Sequence, residues 1–167
     1  MRTISVDFDG VVHEYSSGWK GARVIPDPPV PGAIDFLVML TEKYKVAIFS
    51  SRSHQLGGRR AMKKWLRENA RSHFIDISVG QGKYDAGLFE RNKDTPSYRY
   101  LLQIGADTYE PWNEVIDYAA RVLVKRIKWP THKPAPHLSI DDRGFCFEGQ
   151  WPSLETINNF RPWNKKG

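Results

Sequence analysis

Four short apolar runs, each leading into a cluster of reactive polar residues, constrain this chain more than any other feature. Residues 3–8 (TISVDF) are β-rich and lead into Asp7-Phe8-Asp9-Gly10. Residues 45–49 (KVAIF) are followed at once by Ser50-Ser51-Arg52, residues 127–129 by a Pro-rich loop holding Lys133, and residues 138–140 by Asp141-Asp142-Arg143-Gly144. The runs lack polar/apolar alternation and helical patterns separate them. That combination predicts an α/β domain whose parallel strands are covered by helices on both faces. In such sheets reactive groups gather beyond the carboxyl ends of the strands. All four clusters are therefore expected on one rim.

Between these runs the chain reads as follows. Residues 11–31 carry Gly18, Gly21, Pro26, Pro28, Pro29 and Pro31, which predicts a loop with room for a short hairpin. A helix is expected from Pro31 or Gly32 to about Glu42, burying Ile34, Leu37 and Val38. A second is expected over residues 58–69, with Ala61, Met62, Trp65 and Leu66 on one face and Arg59, Arg60, Lys63, Lys64 and Arg67 on the other. That basic face reads first as a solvated surface and second as a phosphate-backbone patch. Residues 70–123 show no recognisable chemistry. They predict a strand at 74–79 and helices at 96–104 and 113–124, the last with Val115, Ile116, Ala119, Ala120 and Leu123 on one stripe. This segment is expected to be an insertion covering one edge of the site. No repeat, low-complexity tract or linker divides residues 1–167, so one domain is expected.

Bulk composition narrows the setting. The 167 residues suit one hydrophobic core, and 40% apolar with 26% charged residues is not a disordered composition. A lone Cys146 forms no internal disulfide and builds no thiolate zinc site, which fits a reducing, cytoplasmic setting. Neither a signal peptide nor a membrane span is expected. A net charge of +6 suits an anionic partner: a phosphorylated metabolite, a nucleotide or a nucleic acid.

The rim dictates its own chemistry. Asp7, Asp9, Asp141 and Asp142 would repel one another, since like charges about 4 Å apart cost about 4 kcal/mol at an effective dielectric of about 20. Such a cluster calls for a cation. Oxygen ligands without histidine or thiolate select Mg²⁺, which also bridges readily to phosphate. Metal, Lys133, a hydroxyl and carboxylates together suit a transferring phosphoryl group. Two carboxylates at i and i+2 after a strand can divide the work, one attacking phosphorus and the other handling the proton of the leaving alcohol. Gly10 allows the sharp turn this requires.

The segments VDFDGVVH, AIFSSR, THKP and SIDDRG resemble the four motifs of the haloacid dehalogenase superfamily of hydrolases. THKPAPHLSIDDRGFCFEGQWP and the closing RPWNK look like its compact members found in phage and prophage genomes. The resemblance covers residues 3–52 and 126–164. It implies a Rossmann-like sheet of about five strands with a small flap after Asp9, and a Mg²⁺-dependent phosphatase acting through an aspartyl-phosphate. It further implies Asp7 as nucleophile and metal ligand, and Asp9 as general acid/base with its backbone carbonyl on the metal. Ser50 would bind the phosphoryl group, with Ser51 the open alternative, and Lys133 would stabilise its charge. Asp141 and Asp142 would anchor the Mg²⁺, directly or through water. The second acid favours phosphatase over dehalogenase or phosphomutase chemistry.

Arg52 and Arg143 each follow a motif and are candidates for binding a second phosphate or carboxylate, or for pairing with a nearby acid. His13 and His132 are placed to touch substrate but read first as loop histidines without a special role. Trp19 is a candidate for stacking on a base. The expected substrate is a small phosphomonoester, a nucleotide among the candidates. A nucleic-acid 3′-phosphatase and a non-catalytic phosphate-binding module are the alternatives. A receiver-type phosphoacceptor is disfavoured, because there the adjacent acids come first and the acceptor in mid-chain.

Overall fold

The computed structural model describes residues 1–78, 94–105, 112–144, 153–159, 161 and 163. Among these the chain is mixed α/β, with a small open parallel sheet. The elements in order are β1 (Thr3–Val6), α1 (Ala33–Lys43), β2 (Lys45–Ile48), α2 (Gly58–Ile77), α3 (Pro96–Gly105), α4 (Trp112–Arg126), β3 (Leu138–Ile140) and α5 (Leu154–Asn159).

β1 is the central strand, parallel to β2 on one side and β3 on the other. Ile4, Val6, Val46 and Ile48 are all buried, as the unbroken apolar runs require. β3 is more open, with Leu138 and Ser139 exposed. The run at 127–129 is reduced to one parallel bridge, Lys128 against Ala47, at the outer side of β2. Lys128 donates its N–H to Val46 O at 2.9 Å and accepts from Ile48 N at 3.0 Å.

α1 starts after Gly32, whose φ of 79° is easy only for glycine, and stops where Tyr44 turns extended. Asp35 in its first turn and Lys43 in its last suit the helix dipole. α2 begins where expected but runs on to Ile77. The sequence-based strand at 74–79 is thus corrected over Phe74–Ile77, while Val79 lies outside the described residues. The reason is a continuous stripe: Met62, Leu66, Ala70, Phe74 and Ile77 recur at helical spacing and all are buried. Burial along one face outweighs the β propensity of FIDIS.

The described part of residues 70–123 belongs to the main core. Ala70, Phe74, Tyr100, Leu101, Ala119 and Leu123 are fully buried in the same cluster as the strands. α2 packs on α4, and α1 on α3. Tyr100 donates its hydroxyl to Ala119 O at 3.1 Å, so even its polar end is satisfied. No helix among the described residues is long and apolar enough to cross a membrane.

Candidate active site

Strand register brings the two ends of the chain together. β3 pairs Val6 with Ile140, so the residues that follow, Asp7 and Asp141, emerge side by side. Asp7 N–H donates to Ile140 O at 2.9 Å and locks that alignment. On the other side Val6 pairs with Ile48, and Phe49 N–H donates to Val6 O at 3.1 Å, which delivers Ser50 to the same rim. A cleft of about 290 Å³ opens there, lined by Asp7, Asp9, Tyr15, Ser50, Ser51, Lys133, Asp141 and Arg143, among others.

Asp7, Asp141 and Asp142 each offer a carboxylate oxygen, all within 4.8 Å of one another. Burial first, then the charges of Asp141, Asp142 and Asp9, push Asp7 up to about 7 from an ordinary 3.8, against the hydrogen bond from Phe8 N–H that lowers it. Asp142 is raised for the same reasons, burial foremost, with Arg143 opposing. Both Asp142 oxygens are buried without a hydrogen-bond partner among the described residues. Its side chain lies against Gly10, where an added Cβ would fall 2.5 Å from Asp142 Oδ2. Gly10 also has φ 87°, so glycine is required there twice over. A buried, unsatisfied carboxylate beside two others is costly unless a cation meets it. The donor set is all oxygen, which suits a hard cation such as Mg²⁺.

Asp9 occupies a different environment, although it is two residues from Asp7. Arg52 Nε donates to both its oxygens, at 3.0 and 2.8 Å. His13 Nδ1 lies 3.0 Å from Oδ1, and Ser50 Oγ donates to Oδ2 at 3.2 Å. Burial raises the Asp9 carboxyl, but the His13 hydrogen bond and the hydrogen bond and charge of Arg52 outweigh it and hold it below 3.8. Asp9 is therefore ionised at rest.

Arg52, a candidate for substrate binding or for pairing with a nearby acid, takes the second place: it is wholly buried and is not part of the cleft wall. Its Nη1 donates to the carbonyls of Gly21, Ala22 and Val24, and its guanidinium stacks 4.6 Å above the Trp19 ring. It thus fastens the loop after Asp9 to the β2–α2 connection. Ser50 is buried with its hydroxyl on Asp9, whereas Ser51 is exposed, and both line the cleft. Lys133 is exposed, with no hydrogen bond or ion pair among the described residues. Arg143 Nε lies 3.7 Å from Asp142 Oδ2. His132 is exposed and bonds only to its neighbour Thr131 among the described residues.

Three contributors escaped the sequence reading. His13 is fully buried, stacked on Phe8 and edge-on to Trp65. Its i+4 spacing from Asp9 was the available signal, since a tight turn in which Phe8 O accepts from Val12 and His13 brings such residues together. Asp27 meets His13 from fourteen residues away and gave no signal. Trp163 donates its indole N–H to Gly10 O at 2.7 Å, tying the end of the chain to the DxDG turn. The described residues of 70–123 line no part of the cleft. Compared with known proteins, the chain matches no family model, no curated protein and no solved structure.

Proposed function

We propose that the protein is a Mg²⁺-dependent phosphatase that hydrolyses a phosphomonoester through an aspartyl-phosphate on Asp7, on a haloacid dehalogenase-like fold. The larger, five-stranded Rossmann-like sheet belongs to this reading. The observation that carries it is the convergence of Asp7, Asp141 and Asp142 within 4.8 Å, at a cleft lined by Asp7 and Asp141 together with Asp9, Ser50 and Lys133. Asp7, Asp141 and Asp142 would hold the ion, with the Asp9 carbonyl beside them. When bound, Mg²⁺ neutralises the acids and the charge of the phosphoryl oxygens.

The chain's own residues supply the rest. Asp7, the inner member of the triad, attacks phosphorus once ionised. Lys133 balances phosphoryl charge, and the exposed Ser51, or Ser50 if its hydroxyl turns from Asp9, donates to a phosphoryl oxygen. Asp9 starts ionised, so the proton for the leaving alcohol comes with the substrate. A phosphomonoester with a second ionisation near about pH 6 arrives partly as its monoanion. Its proton passes through Asp9 to the departing oxygen, leaving an alcohol and the Asp7 acyl phosphate. Asp9, again a carboxylate, then takes a proton from the attacking water, and phosphate and free Asp7 result.

The small-substrate reading is preferred. The exposed Arg59, Arg60, Lys63, Lys64 and Arg67 of α2 support a nucleic-acid end as the second reading, although Lys64 lies 3.8 Å from Glu68 and Arg59 donates to Trp129 O. Steep loss of activity with salt on an oligonucleotide 3′-phosphate would favour the second. The first test is hydrolysis of an aryl phosphate with Mg²⁺ and with EDTA. Activity is expected only with Mg²⁺, and Asp7→Asn should abolish it without altering the circular dichroism. Turnover indifferent to chelation, or retained by Asp7→Asn, would overturn the proposal.

A further inference from the structure

His13 lies behind Asp9, away from the cleft wall, and its surroundings define which nitrogen carries its proton. Asp27 N–H can only donate, and it points at His13 Nε2 from 3.2 Å. Nε2 is therefore the acceptor, and the hydrogen sits on Nδ1, 3.0 Å from Asp9 Oδ1. Asp27 is itself fixed from three sides. Ser17 donates to its carboxylate through N–H at 2.9 Å and Oγ at 2.5 Å, and Trp65 Nε1 donates to its carbonyl at 3.1 Å. Its carboxylate Oδ2 stands 3.6 Å from His13 Nε2. The ring is held between Phe8 and Trp65 and is fully buried, so it cannot turn over without dismantling the site.

We infer that His13 is a positioning residue for Asp9: its Nδ1–H, fixed by the Asp27 backbone, sets the orientation in which the Asp9 carboxylate faces the reacting oxygen. Arg52 Nε straddles both oxygens and Ser50 holds only Oδ2, so among the described residues His13 is the contact made to Oδ1 alone, and it completes the hold against rotation about the terminal torsion. A proton relay depends on such alignment, and displacements of about 1 Å can cost about 100-fold in rate. This inference rests on the reading of Asp9 as the proton-handling group.

Two amides of similar size separate positioning from packing. The side-chain nitrogen of asparagine occupies the place of Nδ1, whereas glutamine reaches to the place of Nε2. His13→Asn therefore keeps a donor for Asp9 and loses the Asp27 N–H, and His13→Gln does the reverse. On an aryl phosphate with Mg²⁺, His13→Gln and His13→Ala should lose about 10- to 100-fold in kcat with KM within about threefold. His13→Asn should recover most of that loss. If His13→Asn is no better than His13→Gln, or if the loss falls on KM alone, the inference is overturned. Should His13→Ala fail to fold, the amide pair still decides. Wild-type protein inactive on every phosphomonoester would instead sink the phosphatase reading. The ring ¹⁵N shifts of His13 then judge the inference by itself: a proton on Nδ1 upholds the hold on Asp9, and a proton on Nε2 refutes it.

Discussion

Asp7 and Asp9 share one turn, yet they stand in opposite electrostatic settings. On the Asp7 side three carboxylates crowd together, and Asp142 has no hydrogen-bond partner among the described residues, only the exposed Arg143 at 3.7 Å. On the Asp9 side a guanidinium, an imidazole and a hydroxyl converge on one carboxylate. Burial raises both acids and is the largest influence on each: with the nearby carboxylates it carries Asp7 to about 7, whereas at Asp9 the hydrogen bonds of His13 and Arg52 and the charge of Arg52 overturn it. Two acids pushed apart in this way can take different roles in one reaction. The acidic side has only the exposed Arg143 near it, whereas Asp9 has a buried cation built in.

The comparison is most sharply tested at the proton-handling side. Asp9→Asn keeps an acceptor for Arg52 and His13 but can carry no proton. It should slow aryl phosphate turnover by about 10²- to 10⁴-fold. An unchanged rate would remove the division of labour between the two acids. Next comes the built-in cation. Arg52→Met leaves Asp9 buried without its countercharge and releases the Gly21–Val24 loop, and breaking such a pair costs about 3–5 kcal/mol. Denaturant unfolding should show that loss. A stability within about 1 kcal/mol of wild type would mean that the Asp9 pairing holds nothing together.

The smallest expected effect is on the acidic side and has a definite sign. Between about pH 4 and about pH 7 the folded protein without metal keeps a proton on Asp7 that the unfolded chain has released. Raising the pH through that window therefore favours unfolding, and the raised Asp142 acts in the same direction. Asp9, shifted down, contributes stability that is complete above this window and is lost only as the pH falls below it. In EDTA the melting temperature should drop by roughly 5 °C from about pH 5 to about pH 7.5. Mg²⁺ should restore more at the higher pH, where the acids are ionised. A melting curve that ignores both pH and Mg²⁺ would mean that the acidic triad binds no ion.

Much of the site was legible from residue order. Asp7, Ser50 and Asp141 follow short apolar runs bounded by turn signals, which read as strands, and parallel pairing then collects their ends on one rim. Gly10 was readable as a turn residue, though its second reason, the carboxylate of Asp142 against its bare Cα, was not. Arg52 was the least legible. Its position after a motif suggested a ligand contact or a pairing with a nearby acid without deciding between them, and the structure shows the second, with Asp9 and three loop carbonyls as its partners. The α2 stripe through Phe74 and Ile77 was hidden because a short apolar stretch satisfies helix and strand patterns alike.

The sequence alone determined the α/β character, the parallel central strands and the acidic, hydroxyl and lysine clusters at their ends. Each follows from local pattern: unbroken apolar runs must be covered, and polar groups at their ends stay near solvent. Only the tertiary structure decided which charges neutralise which. Whether a carboxylate meets an arginine or another carboxylate depends on contacts across 43 residues for Arg52 and Asp9. For Trp163 and Gly10 the separation is 153 residues. Coulomb and hydrogen-bond energies follow distance in space, and distance along the chain carries no record of it.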